Sequence, residues 1–126
     1  MKKAIRIEGA PAPIGPYSQA ILIENTLYVS GQIPLNPFTG ELVNHSIEEA
    51  TKQVLQNIDN LIKVAGLTKN DIVKCSIFLK DMNDFAQMNS IYADFFDETP
   101  PARETVQVAK LPMDVCIEIS CIAIKS

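Results

Sequence analysis

The chain predicts an α+β fold, one sheet with two helices packed on a single face, in the order strand-strand-helix-strand-helix-strand-strand. Three observations carry this. Apolar residues recur at helical spacing in two stretches, each apolar on one side only. The segments around them are short, rich in β-branched residues, and bounded by Pro, Gly, Asn and Asp. A length of 126 residues supports one real core and not two, so residues 1–126 are expected to form one domain. The sheet face without helices must then meet water, a ligand or another subunit.

Ala4-Ile5-Arg6-Ile7 alternates briefly and predicts a short edge strand before the Gly9–Pro13 loop. Tyr17 begins an extended run into Ile21-Leu22-Ile23, Glu24-Asn25-Thr26 is a turn, and Leu27–Ile33 is the returning hairpin strand. Gly31 inside that strand marks a bulge or a place where something approaches the backbone. Ser46-Ile47-Glu48-Glu49 is a capping box that starts the first helix. Its stripe is Ile47, Ala50, Val54, Ile58, Leu61, Ile62 and Ala65, and Gly66 is its left-handed stop. Ile72–Lys80 reads as a strand. Asp81 or Asn83 caps a second helix that buries Phe85, Met88, Ile91, Tyr92, Phe95 and Phe96 and ends at Pro100-Pro101. Thr105–Leu111 and Val115–Ile124 are the last strands, joined by a turn at Pro112-Met113-Asp114.

Composition narrows the function. The charge of −4, with basic residues scattered, is a poor match to nucleic acid, whose binding rests on neutralising phosphates. No apolar run approaches the roughly 20 residues that span a bilayer, and no secretory h-region follows Met1-Lys2-Lys3. Three cysteines without C-x-x-C spacing fit reduced thiols in a cytoplasm. No P-loop, dinucleotide fingerprint, nucleophile elbow or metal cluster is present. His45, the only histidine, reads as a loop residue without a role.

Glu118 is the most informative residue. It sits between Ile117 and Ile119 in a largely buried strand, where an acid either accepts structural hydrogen bonds or takes a raised pKa that suits a general acid or base. Arg103 taken alone reads as a surface or interface arginine; as the candidate counter-charge it offers a guanidinium fork suited to carboxylates on a rigid Pro100-Pro101-Ala102 approach. Tyr17 taken alone reads as a packing residue with a wet hydroxyl. A hairpin of the last two strands around Met113 would set Val108 opposite Glu118 and leave Arg103 roughly 17 Å along the sheet. A site using both residues is therefore expected to form between subunits.

Several ordered motifs carry a family resemblance. Ile14–Ala20 (IGPYSQA), Val29–Pro34 (VSGQIP), Asp81–Phe85 (DMNDF), Pro101-Ala102-Arg103, Val106–Pro112 (VQVAKLP) and Ile117-Glu118-Ile119 together resemble the RidA family, the reactive intermediate deaminases also called YjgF. The resemblance implies a chorismate-mutase-like α+β fold of the bacillus type with a single mixed sheet. It also implies a homotrimer with ligand pockets between subunits and no cofactor. The implied activity is hydrolysis of 2-aminoacrylate, 2-iminopropanoate and related enamines or imines to 2-oxo acids and ammonia, a 2-iminobutanoate/2-iminopropanoate deaminase. By position, Arg103 would hold the substrate carboxylate and Glu118 would activate water, with Tyr17, Ser30, the Gly31 backbone and Asn89 lining the pocket.

Many relatives carry Ser-Cys where this chain has Glu104-Thr105, so a thiol role is excluded at Thr105. Water can add to the imine without a covalent nucleophile, and the Thr105 backbone N–H can serve an oxygen. Glu104 is expected on the face opposite Arg103. Two rival readings are a non-catalytic trimer that binds a 2-oxo acid or amino acid and regulates a partner, and a translation-inhibiting endoribonuclease, which the acidic balance disfavours.

Overall fold

The computed structural model describes residues 1–126 except Pro11 and Ile14. The parts of the predicted Gly9–Pro13 loop and of the Ile14–Ala20 motif that fall on those two positions lie outside the described residues. Six strands and two helices follow the chain: β1 Lys3–Ile5, β2 Ala20–Ile23, β3 Thr26–Gln32, α1 Ile47–Val64, β4 Ile72–Leu79, α2 Phe85–Phe95, β5 Ala102–Gln107 and β6 Ile117–Ile124. They form one mixed sheet in the order β1-β2-β3-β6-β4-β5, with both helices on one face.

The first helix forms as its sequence dictates. Ser46 Oγ accepts from the Glu49 N–H at 3.1 Å, and Gly66 takes a φ of 83° just beyond the last turn. The reciprocal half of the box is not made among the described residues; the Glu49 carboxylate lies 3.8 Å from Lys52 Nζ. The stripe from Ile47 to Ile62 is buried against Leu27, Val29, Ile77 and Ile119 of the sheet. Each fully buried Leu or Ile contributes about 1.5–3 kcal/mol relative to exposure. Asn57, buried in the same helix, donates to Leu35 O at 2.9 Å and accepts from Gln53 at 2.9 Å. That tether fixes the loop after β3, and with it the end of the strand that carries Gly31.

The second helix enters through a 3-10 turn, Met82–Asp84, capped by Asp81 Oδ1 on the Asn83 N–H. Met88 and Tyr92 are buried, and Phe85, Ile91, Phe95 and Phe96 pack partly buried against the core. The helix stops at Phe95, before the prolines predicted to end it. No helix among the described residues is long and apolar enough to cross a membrane.

The predicted terminal hairpin is not formed. β5 pairs in parallel with β4, while β6 pairs antiparallel with both β4 and β3. The cause is the route of the chain. α2 carries it from β4 to a parallel neighbour, and the connection 108–116 then steps past the end of β4 to its other side. Val108 N–H bonds Leu79 O, and Lys80 N–H bonds Cys116 O, pinning both ends of that step to β4. Met113 and Asp114 turn through positive φ at 55° and 54°, so this segment bends away instead of closing a hairpin. Glu118 consequently faces Phe78, not Val108, and Arg103 lies within β5 opposite Cys75 rather than before a strand at 105.

Candidate active site

Strand register settles where the two charged residues point. Arg103, Cys75 and Cys121 share one row across β5, β4 and β6, and both cysteines are buried on the helix-covered face. Glu118 shares a row with Phe78, three residues along, and an odd offset in a strand reverses the face. Arg103 therefore points toward α2 and Glu118 toward the uncovered face. Three residues along and two strands across separate their Cα atoms by about 14 Å. The expectation that they do not meet within one chain holds, for a geometry other than the hairpin that suggested it.

The Glu118 half is built on a bulge. Between Val29 and Gln32 the β3–β6 register shifts, so that Ser30 and Gly31 lie opposite one residue of β6. A Cβ at Gly31 would collide with the Glu118 carboxyl, standing 2.6 Å from Cδ and 3.0 Å from Cγ. Glycine thus lets the carboxylate lie flat on the backbone. Glu118 is half-buried, no cation pairs with it among the described residues, and burial pushes its carboxyl above the usual range. Ser30 Oγ donates to Ser18 O at 2.7 Å, which leaves only its lone pairs for a ligand. Tyr17 is exposed and joins Gly31, Gln19 and Gln32 around a cavity of about 250 Å³.

The Arg103 half sits under α2. Arg103 Nη1 donates to Asn89 Oδ1 at 2.7 Å, and its Cζ lies 4.9 Å from the Tyr92 ring centre and 5.5 Å from that of Phe85. Asn89, read from sequence as a pocket member, commits its oxygen to the arginine. Arg103, Asn89, Tyr92, Phe96 and Pro101 line a cavity of about 420 Å³. Thr105, two residues on, shares this face, and its buried hydroxyl oxygen has no hydrogen-bond partner among the described residues. Glu104 turns to the opposite face as expected. There Ser76 Oγ at 2.8 Å, and then Lys74 Nζ at 3.2 Å, hold its carboxyl below the usual range.

Sequence reasoning missed the pairing of Arg103 with Phe85 and Tyr92. Both aromatics sit at core-facing positions of α2, and only the contact between that helix and β5 makes them neighbours of a charge. It also missed that Cys75 and Cys121 stand directly opposite each other in β4 and β6. Burial raises both thiols, Cys121 further through the neighbouring Cys75.

Known proteins match this chain along its length. A family profile described as endoribonuclease L-PSP covers residues 7–125. A RutC family protein of Pyrococcus horikoshii is 54% identical over 125 residues, 99% of each chain. An Escherichia coli 2-iminobutanoate/2-iminopropanoate deaminase is 48% identical over 128 residues, again 99% of each. The crystal structure of E. coli TdcF with bound serine superposes with a TM-score of 0.93 at 42% identity, covering 98% of this chain and 99% of that one. The chorismate-mutase-like α+β architecture and the motif resemblance are thereby confirmed, and the chain belongs to the RidA family, whose members also carry the RutC, YjgF and L-PSP names.

Proposed function

We propose that the protein is a cofactor-free deaminase of small 2-imino acids, working as a homotrimer with each site shared by two subunits. The observation that carries this reading is the split between Arg103 and Glu118. One chain holds a carboxylate-binding arm on one sheet face and a half-buried carboxylate on the other, and among the described residues neither meets its counterpart. Two copies complete the site. The uncovered face also presents two separate apolar pairs, Tyr28 with Ile122 and Phe78 with Val106, in which Tyr28 is 50% and Val106 44% exposed, and both are suited to cover by a second subunit.

In this reading Arg103 binds the carboxylate of 2-iminopropanoate in bidentate fashion. Glu118 of the neighbouring subunit takes a proton from water as its oxygen bonds to the imine carbon, and the C=N electron pair moves to nitrogen. The proton then passes from Glu118 to that nitrogen. Transfer of the hydroxyl proton to nitrogen and cleavage of the C–N bond release ammonia and pyruvate. Burial that raises the Glu118 pKa improves it as a base near neutral pH. Tyr17, Ser30 and the Gly31 backbone line the Glu118 side, and Asn89 and Thr105 the arginine side. A reducing cytoplasm suits the three free cysteines.

The test is ammonia and pyruvate release when the protein is added to a serine dehydratase reaction, with spontaneous imine decay subtracted. Wild type accelerates release, while Arg103→Ala and Glu118→Gln, both folded, do not. Mixing the two inactive variants under subunit exchange restores about a quarter of wild-type activity, because each shared site draws its two residues independently. No recovery from mixed trimers would overturn the shared site. Serine bound in the TdcF structure favours one rival, a small-acid binding module. That reading needs Arg103 but not Glu118, so binding of a 2-oxo acid without any acceleration of release would select it.

A further inference from the structure

Arg103 brings a full positive charge into a site where, among the described residues, no carboxylate pairs with it. Glu104, its neighbour in sequence, is held on the other face by Ser76 and Lys74. Two aromatic rings and one amide oxygen contact the guanidinium instead. The difference matters chemically. A carboxylate partner would occupy the N–H edge that a substrate needs, whereas a ring face attracts the cation and leaves that edge open.

We propose that Phe85 and Tyr92 are positioning residues: their rings clamp the Arg103 guanidinium and keep its charge unneutralised, so that the arm is set before the substrate carboxylate arrives. The inference rests on reading Arg103 as the carboxylate-binding residue of an imine deaminase. Arginine is among the side chains with most rotamer freedom to lose on binding, and a fork fixed beforehand loses less of it. Tyr92 is itself held firmly. It is 5% exposed, its ring lies 4.9 Å from that of Phe96, and Phe96 meets Phe95 edge-on at 5.0 Å. The clamp therefore stands on a stack of rings anchored in the core. The buried Tyr92 hydroxyl lies beside the Cys75 thiol and makes no hydrogen bond to Arg103, so the ring and not the hydroxyl does the positioning.

The experiment compares Phe85→Leu, Tyr92→Leu, Tyr92→Phe and Arg103→Ala with wild type, by calorimetric titration with 2-oxobutanoate and by steady-state kinetics on dehydratase-generated imine. Each leucine variant is expected to raise Kd and KM about tenfold while kcat stays within about threefold, because the arm binds ground and transition states alike. Tyr92→Phe restores wild-type values. A purely structural role would lower the melting temperature without this split between KM and kcat. Leucine variants that bind 2-oxobutanoate as wild type does, while Arg103→Ala loses binding, would overturn the clamp and leave the deaminase reading standing. Unchanged binding in Arg103→Ala would remove the arginine's role and the clamp with it. Should Tyr92→Leu fail to fold, Phe85→Leu decides, since its ring is only partly buried.

Discussion

Replacing Gly31 by alanine isolates the contact that shapes the Glu118 half of the site. Gly31 is not among the glycines with positive φ, so the backbone accepts alanine without torsional strain and the perturbation is one methyl group. That methyl would stand 2.6 Å from Glu118 Cδ, where ordinary contact begins near 3.4 Å. The carboxyl must therefore retreat by about 1 Å, a displacement worth about 10²-fold in rate, or about 2.7 kcal/mol, for a group that in the proposed mechanism must meet a water closely. Folding should barely change. Glu118 is half-exposed and can swing aside, and the lost chain entropy of glycine offsets part of the crowding. The assay is kcat/KM for dehydratase-generated imine beside a thermal melt, repeated in a Glu118→Asp background, which keeps a carboxylate but withdraws it from Gly31. We expect a large fold-loss in the wild-type background, a much smaller one in the aspartate background, and a melting temperature within a few degrees. Equal losses in both backgrounds, or no loss at all, would refute the argument that Gly31 acts by seating Glu118.

Arg103→Lys should keep the fold and lower kcat/KM about 10²-fold, because an ammonium replaces a bidentate fork and stacks poorly between rings; steady-state kinetics check this. Glu118→Gln should raise stability at neutral pH. Burial raises the folded-state pKa above the unfolded value, so protonation favours the fold, and that contribution is lost as pH rises through the raised pKa. Melts should show the variant above wild type at pH 7 and the gap closing toward about pH 4, while wild-type activity falls as acid protonates the base. Cys75 and Cys121 should resist iodoacetamide in the native protein at pH 8 and react only on unfolding, as mass spectrometry of labelled peptides would show. Leu61→Ala, at a fully buried position of α1, should cost about 2–5 kcal/mol in a denaturant melt.

Local signals were readable wherever a short stretch of chain decides its own conformation. Ser46 and Gly66 bracket the first helix because a hydroxyl cap and a left-handed stop act within a turn of their own residue. The stripe from Ile47 to Ile62 needs only its own periodicity. Gly31 announced its bulge because a strand tolerates glycine poorly without a reason, and the reason is the Glu118 carboxyl above it. The motifs likewise singled out Arg103 and Glu118, on which the proposed chemistry rests.

Strand partners were not readable in the same way. Thr105–Leu111 followed by a turn and Val115–Ile124 satisfies every local rule for a hairpin, yet the two strands flank β4 from opposite sides. Backbone hydrogen bonds carry no side-chain identity, so a strand's alternation fixes which face it buries but not which neighbour it takes. Only the tertiary structure decided that α2 would deliver β5 parallel to β4 and bring Phe85, Asn89 and Tyr92 onto Arg103. The same pairing put Arg103 and Glu118 on opposite faces. The sequence by itself determined the elements, the single core and the residues on which the proposal rests; that Arg103 and Glu118 stand on opposite faces followed from contacts between segments far apart along the chain.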